Sequence, residues 1–186
     1  MENNQGIIHA CTIDGNGEGK PLQGDDISKI IKDNALGWVH LDANDPASRT
    51  WLERELTYLD HIIIDALLAE ETRPRILQFE KGALLILRGV NLNENAQAED
   101  MISIRLWIDQ HRIISVRRRP LKAVQDIKKR LTDGKGPKNA GDFITMLATR
   151  LFERMEPVFL ELDETLDDIE EKAVSYTHLT LPTIQL

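Results

Sequence analysis

The stretch NAGDFITMLATRLFERMEPVFLELDETLDDIEEKA, residues 139–173, contains the longest series of apolar residues at helical spacing in the chain. The apolar positions recur with a mean spacing of about 3.6 residues, which is the period of a straight helix rather than of a supercoiled heptad. The sequence therefore predicts one long helix with an apolar stripe along nearly its whole length. The residues of this stripe are Ile144, Leu147, Leu151, Met155, Val158, Leu162, Leu166, Ile169 and Ala173.

The opposite face of this helix is acidic after Pro157, and no basic residue follows until Lys172. Several of its carboxylates are four residues apart, where each pair of like charges destabilises a helix by about 0.2–0.5 kcal/mol. A cation shared between carboxylates, or a basic partner surface, would relieve this repulsion. The alternative is a solvated helix face without a ligand. The candidate metal ligands on this acidic face are Asp163, Glu164, Asp167, Asp168 and Glu171.

Composition is typical of a soluble globular protein, with 41% hydrophobic and 29% charged residues among 186. Much of the net charge of −8 comes from seven acids between residues 161 and 171, so the rest is nearly neutral and no nucleic-acid partner is expected. The single cysteine, Cys11, excludes an intramolecular disulfide and is typical of a reducing compartment. The first residues have neither the basic start nor the apolar run of a signal peptide, so none is expected, and no run approaches the roughly 18–20 apolar residues of a membrane span.

The last residues, Val174 to Leu186, carry no acid or base and interrupt the apolar stripe. Their sequence looks like translated vector read-through, so we expect this tail to be non-native and the natural chain to continue past Ala173. The alternative is a genuine extended tail.

Between residues 6 and 131 the patterns predict strands alternating with helices. The predicted strands are 6–13, 36–42, 75–80, 83–91, 101–109 and 112–118, and the predicted helices are 25–33, a helix that opens at Pro46, 60–70 and 120–131. This order predicts an α/β (α+β) fold, in which a mixed β-sheet flanked by helices forms an αβα sandwich followed by the long C-terminal helix. With a linker at 134–137, the predicted organisation is an α/β domain over 1–133, a helical stalk over 139–173 and the tail 174–186.

Three local predictions can be compared directly with a structure. Asp25 or Asp26 is expected to cap the first helix, and Asp60 the third. Ile62 is expected on the buried face of that third helix. In the strand at 101–109, the residues at 102, 104, 106 and 108 are expected on one face and those at 103, 105 and 107 on the other.

Two further pairs of residues have the chemistry of metal ligands. His9 and Cys11 are two apart on a predicted strand, so their side chains point the same way, and zinc accepts both. His40 and Asp42 repeat this spacing on the next strand. Two ligands are too few for a closed zinc site, so the alternative for each pair is an ordinary strand residue with polar neighbours.

Basic residues concentrate near the end of the last strand and along the following helix, and could attract anions or an acidic helix. They are Arg112, Arg117, Arg118, Arg119, Lys122, Lys128, Lys129 and Arg130. The alternative is a solvated face that pairs with acids of the same domain. We find no motif of a catalytic site: the glycines at 15–19 lack the spacing of a phosphate-binding loop, and no His-Glu-x-x-His is present.

The order of several short motifs resembles the cytoplasmic domain of CorA-type divalent-cation transporters. These motifs are Gly37-Trp38-Val39-His40-Leu41-Asp42, Arg73-Pro74-Arg75, Ser103-Ile104-Arg105-Leu106-Trp107-Ile108-Asp109, Ile114-Ser115-Val116-Arg117, Leu162-Asp163-Glu164 and Asp168-Ile169-Glu170-Glu171. The run Ser-Val-Arg-Arg-Arg-Pro, residues 115–120, looks most like the zinc-transporting ZntB branch.

The resemblance implies a homopentamer in the bacterial inner membrane, with the α/β domains forming a cytoplasmic funnel. It also implies that the long helix continues into a membrane region absent from this chain. No enzymatic activity is expected, and no cofactor beyond the transported or regulatory ion, for which Zn²⁺ is the first candidate and Mg²⁺ the second. Asp65 and Ala66 stand where the magnesium branch has a Glu-Asp pair, which favours a different ion or gating logic. The alternative function is a free-standing soluble regulatory or protein-interaction module that docks a basic partner on the acidic face. A third and weaker possibility is a metal-dependent hydrolase that uses the clustered carboxylates.

Overall fold

The computed structural model describes residues 6–70 and 73–179. Within them the strands are β1 (Ile7–Ile13), β2 (Gly19–Pro21), β3 (Gly37–Asp42), β4 (Arg75–Phe79), β5 (Gly82–Gly89), β6 (Ile102–Ile108) and β7 (Arg112–Arg117). The helices are α1 (Asp25–Lys32), α2 (Pro46–Glu55), α3 (His61–Leu68), α4 (Lys122–Thr132) and α5 (Ala140–Leu179). The predicted strands agree with these bounds to within one or two residues. Strand β2 was not predicted from the sequence patterns.

The described strands form one seven-stranded sheet in the order β2-β1-β3-β7-β6-β5-β4. The central strands β3 and β7 run parallel, and each of the other neighbouring pairs is antiparallel. Parallel strands require a long crossover connection, and here the segment between β3 and β7 supplies helices as well as three strands of the sheet. The predicted mixed sheet is confirmed.

Helices cover both faces of the sheet, so the predicted αβα sandwich is confirmed. On one face, side chains of α1, α2 and α3 pack on Val39, Leu41 and Trp107. On the other face, side chains of α4 and α5 pack on Trp38 and Leu106. Consecutive residues of β3 thus serve different cores, because successive side chains of a strand point to opposite faces.

Strand β6 follows the predicted alternation. Its apolar positions belong to the core under α4 and α5, and Trp107 belongs to the opposite core. Arg105 is on the same side as Trp107 by the two-residue period and is itself buried. The apolar residues that share the α4–α5 face are Ile102, Ile104, Leu106 and Ile108.

The helix starts confirm one predicted cap and correct another. The Asp60 carboxylate accepts a hydrogen bond from the Ile62 amide at 2.9 Å and caps α3, as predicted. Helix α1 begins after Gly24, whose φ of 54° lies in the left-handed region, and it has no side-chain cap, so the prediction that Asp25 or Asp26 caps it was wrong.

The prediction that Ile62 is buried was also wrong, because the side chain is 75% exposed. Helix α3 has only eight residues, and three consecutive isoleucines leave the position of its buried face open from sequence alone. The residues that it buries are Ile63, Ile64, Leu67 and Leu68.

Helix α5 is 40 residues long, which corresponds to about 60 Å. Its first turns belong to the sandwich, because Phe143, Leu147 and Leu151 are buried against the sheet and α4. From residue 159 to residue 176 every side chain is exposed. The helix does not end at Ala173, as the sequence analysis expected, but continues to Leu179; the rest of the expected tail, 180–186, lies outside the described residues. The apolar stripe is therefore half covered and half uncovered within one chain.

Two leucine-to-alanine substitutions, one in each half of this stripe, test whether only the inner half is packed. We expect Leu147→Ala to lower the free energy of unfolding by about 2–5 kcal/mol, because it opens a cavity in a packed core. Leu162→Ala should change it by less than about 0.5 kcal/mol in dilute protein, because Leu162 is 48% exposed. Urea denaturation followed by circular dichroism measures both. Equal losses would show that the outer half of α5 is packed within the single chain.

Candidate functional site

The antiparallel pairing of β1 and β3 brings three of the predicted metal ligands onto one side of the sheet. His9 is opposite His40, and Cys11 is opposite Trp38. The His9 and Trp38 rings meet edge to face, with centroids 5.1 Å apart. This side is the one covered by α4 and α5, where Cys11 and His40 are buried and His9 is half-buried.

His40 is part of a buried hydrogen-bond network centred on Ser115. The Trp38 indole N–H donates to Ser115 Oγ at 2.8 Å, and His40 Nδ1 lies 2.7 Å from the same oxygen. His40 is 2% exposed, and burial, with Arg117 as the next cause, lowers its pKa to about 3. The imidazole is therefore neutral at physiological pH, and the network satisfies one of its two nitrogens.

The other two members of this group are also held in uncharged forms. Burial, followed by the charge of Lys128, lowers the pKa of His9 to about 4. Burial raises the pKa of the Cys11 thiol to about 12. Because the thiolate is the form that binds zinc, a metal would have to displace a strongly held proton from Cys11. The nearby positive charge of Lys128 would also repel the metal cation.

Asp42 does not join this group. Its carboxylate accepts hydrogen bonds from the backbone amide and the side-chain amide of Asn44, both at 2.9 Å, at the end of β3. Across the described residues, no three His, Cys, Asp or Glu side chains come together in an arrangement that could hold a metal ion. The contacts of His9, Cys11, His40 and Asp42 agree with the interpretation as polar strand residues; their role as ligands stays a prediction.

The acidic face of α5 is fully open to solvent. All five predicted ligands are exposed, and Asp163, Asp167 and Glu171 follow one another at intervals of four residues. Glu164, Asp167 and Asp168 also line a shallow groove of about 420 Å³. Within the described part of the chain, no ion pair involves these carboxylates. The face is therefore a concentrated negative surface whose charge the described chain does not neutralise.

The predicted basic patch does not form one surface. Arg112 stacks on the Tyr58 ring at 4.6 Å and lies 3.7 Å from Asp109. Arg118 instead donates to the carbonyl oxygen of Leu68 at 2.7 Å, at the C-terminus of α3. Arg105 in β6 is buried, and its burial was not predicted from the sequence. An arginine within an otherwise apolar strand was the signal that could have indicated it.

The buried imidazoles make stability depend on pH. Because both folded-state pKa values lie below the ordinary 6.5, the unfolded chain binds more protons between about pH 6.5 and pH 3. The free energy of unfolding is therefore highest above pH 6.5 as far as these two groups are concerned. It decreases as the pH falls from 6.5 toward their folded-state pKa values. We expect the drop in melting temperature from pH 7 to pH 5 to be smaller in His40→Gln than in the wild-type protein.

His61→Gln is the matched control, because His61 is exposed at the start of α3. It should keep the wild-type drop in melting temperature. An equal drop in all three proteins would show that His40 does not govern this pH dependence.

The comparisons with known proteins agree with this architecture. The family model described as "CorA-like Mg2+ transporter protein" matches residues 33–181. The divalent cation transporter CmaX of Pseudomonas aeruginosa is 39% identical over 90% of this chain and 51% of its own length. The zinc transport protein ZntB of Pectobacterium atrosepticum is 33% identical over 89% of this chain and 50% of its own length. The chain thus spans about half the length of the curated relatives it matches.

Solved structures give the same result. Full-length CmaX superposes with a TM-score of 0.81 at 36% identity, over 92% of this chain and 53% of that one. The ZntB cytoplasmic domain from Vibrio parahaemolyticus superposes with a TM-score of 0.72 at 28% identity, over 88% of this chain and 64% of that one. None of the described helices is long and apolar enough to cross a membrane. The matched family model, the relatives and the shared architecture establish that this chain belongs to the CorA-like family, with ZntB and CmaX among its homologues.

Proposed function

We propose that this chain is the cytoplasmic part of a divalent-cation transporter, with Zn²⁺ as the first candidate and Mg²⁺ as the second. Relatives named for zinc transport and for divalent-cation transport support this assignment. The membrane region would belong to the part of the relatives that this chain does not cover. The family resemblance implies that the transporter lies in the bacterial inner membrane. The chain would have no enzymatic activity of its own.

The observation that carries the proposal is the uncovered outer half of α5. Leu162, Leu166 and Ile169 are 48%, 52% and 57% exposed, although they continue the stripe that is buried at Leu147 and Leu151. Leaving such a stripe in water forfeits about 25 cal/mol for each Å² of apolar surface that could be covered. The same stripe on a second copy of α5 can cover this apolar surface if the two helices lie side by side in register. A ring of subunits around one axis provides that arrangement.

The subunit number follows from the family resemblance, which implies a homopentamer. In such a ring each copy of α5 would pack its apolar stripe against its neighbours. The acidic faces would then be repeated around the axis, so the carboxylates of several chains would act on the same ions. We propose that Asp163, Glu164, Asp167, Asp168 and Glu171 gather divalent cations beside the conduction path and contribute to gating.

A free-standing module is the second candidate, because the acidic face is equally accessible to a basic partner. The gene sequence downstream of codon 173 distinguishes the two functions. For the transporter, the family resemblance implies two apolar spans with a Gly-Met-Asn loop at the pore mouth between them. A stop codon directly after this helix would support the module instead.

The ring makes a prediction about the chain in solution. We expect sedimentation to show reversible self-association at high protein concentration, because the stripe offers apolar surface to a second copy. Leu162→Asp together with Leu166→Asp should abolish it, since both side chains are exposed and their replacement leaves the sandwich intact. A monomer at every concentration, with and without divalent ions, would contradict the assembly.

A second prediction concerns cations on the acidic face. Millimolar Zn²⁺ or Mg²⁺ should raise the melting temperature above that in monovalent salt of equal ionic strength, because a ligand at 100 times its dissociation constant stabilises by about 2.7 kcal/mol. Replacing Asp163, Asp167 and Glu171 by Asn, Asn and Gln should remove this divalent-specific gain. The matched control replaces Asp25, Asp26 and Asp33, which are exposed near α1, with Asn.

Identical melting temperatures in divalent and monovalent salt would show that the acidic face is not a cation site. Attention would then turn to His9, Cys11, His40 and Asp42. If the gain survives in the α5 variant but not in a His9→Gln variant, the strand group is the site.

A further inference from the structure

A polar cavity of about 860 Å³ lies on the α1–α3 face of the sheet, next to the C-terminus of α3. Its wall is unusually rich in arginine, and arginines outnumber carboxylates by five to three among the described residues. The arginines come from separate segments of the fold. They are Arg73, Arg88, Arg105, Arg118 and Arg119.

Arg105 is the buried member of this set, with only 1% of its surface exposed. Its Nη2 donates to the carbonyl oxygen of Glu70 at 3.1 Å. Its Nε and Nη1 are buried without a hydrogen-bond partner in the described part of the chain. A guanidinium has five N–H donors, so most of the donors of Arg105 are unused. A buried charge without a partner is costly, and such atoms point to a group that the described residues do not supply.

None of the described side chains around Arg105 neutralises its charge. Arg118 is engaged with the carbonyl oxygens of Leu68 and Ala69 at the end of α3, at 2.7 and 3.5 Å, and adds a second positive charge. The carboxylate of Glu70 lies 3.8 Å from Arg118 and is mostly solvent-exposed. Burial and the charge of Arg118 lower the pKa of Arg105 to about 10, so it is still a cation at neutral pH. The capping of α3 explains the position of Arg118 but leaves the charge of Arg105 uncompensated.

The rest of the cavity narrows the class of ligand. Arg73, Arg88 and Arg119 are exposed at its rim, and Arg88 Nη2 donates to the carbonyl oxygen of Met101 at 3.4 Å. Guanidinium groups favour phosphate oxygens, which accept their N–H donors in planar pairs. No aromatic side chain lines the cavity within the described residues, so a nucleobase would have nothing to stack on. The volume nevertheless exceeds that of a single phosphate.

We propose that this cavity binds a compact oxyanion with more than one phosphate-like group, with Arg105 as its central charge and the rim arginines closing over it. The inference does not depend on transport, since it rests on the wall of one chain. Glu99 and Asp100 line the same cavity and limit its excess of positive charge.

Isothermal titration with inorganic pyrophosphate in metal-free buffer tests the proposal. We expect saturable binding to the wild-type chain that sodium chloride at the same ionic strength does not reproduce. Arg105→Met should weaken the affinity by about tenfold or more, the size expected for losing a charge-assisted hydrogen bond. This variant should fold, because removing an unpaired buried charge in favour of an apolar side chain is neutral or stabilising.

Lys129→Met is the matched control, because it removes one exposed positive charge from α4, on the opposite face of the sheet. It should bind pyrophosphate as the wild-type chain does. Equal weakening in Arg105→Met and Lys129→Met would mean that only net charge matters and would overturn the proposal. Heat that sodium chloride reproduces at equal ionic strength would overturn it as well.

Two rim variants keep the test decisive if Arg105→Met fails to fold. Arg73→Met and Arg119→Met alter exposed residues, and each should weaken pyrophosphate binding several-fold. Unchanged affinity in both would contradict the proposal. Competition between pyrophosphate binding and self-association would assign the cavity to a carboxylate from a second copy, and would also overturn it.

Discussion

The fold depends on the pairing of β3 with β7, whose side chains are buried on both faces of the sheet. At its centre the Trp38 indole donates to Ser115 across the two strands, at 2.8 Å. The same indole meets the Phe143 ring edge to face, with centroids 4.9 Å apart, and so anchors the first turns of α5 on the sheet. One tryptophan thus connects the central strands to the long helix. Because β3 and β7 are parallel, the helices α2 and α3 and the strands β4, β5 and β6 all belong to the connection between them.

This anchoring gives the two halves of α5 different sources of stability. The inner half is held by the core at Phe143, Leu147 and Leu151, whereas the outer half is exposed from residue 159 to residue 176 and contains mutually repelling carboxylates. Pro157 lies between them and removes one backbone donor from the helix. A long helix of this kind is stabilised when neighbouring copies cover its apolar stripe. The proposed transport function uses that requirement, because the same packing would repeat the acidic face around a common axis.

The sequence pattern predicted the long helix, the alternation in β6 and the cap at Asp60, because each depends on a period or a spacing within one element. It did not predict the exposure of Ile62, since a helix of eight residues with three isoleucines allows more than one buried face. It also could not find the cavity around Arg105. That cavity is formed by segments far apart in the sequence, and only tertiary structure shows that the donors of Arg105 lack partners. The metal-ligand predictions are limited in the same way, because a site shared within the proposed ring would depend on chains other than this one.

We propose that the inner half of α5 is held by the sheet and that other copies complete the outer half. Amide hydrogen exchange along α5 tests it most directly, because exchange reports the local opening free energy of each turn. In dilute monomer, amides from Phe143 to Leu151 should be protected nearly as strongly as the core strands, and those from Phe159 to Ala173 should exchange much faster. Raising the protein concentration should slow exchange only in the outer half. Uniform protection along α5 in the monomer, or an outer half indifferent to concentration, would contradict the account.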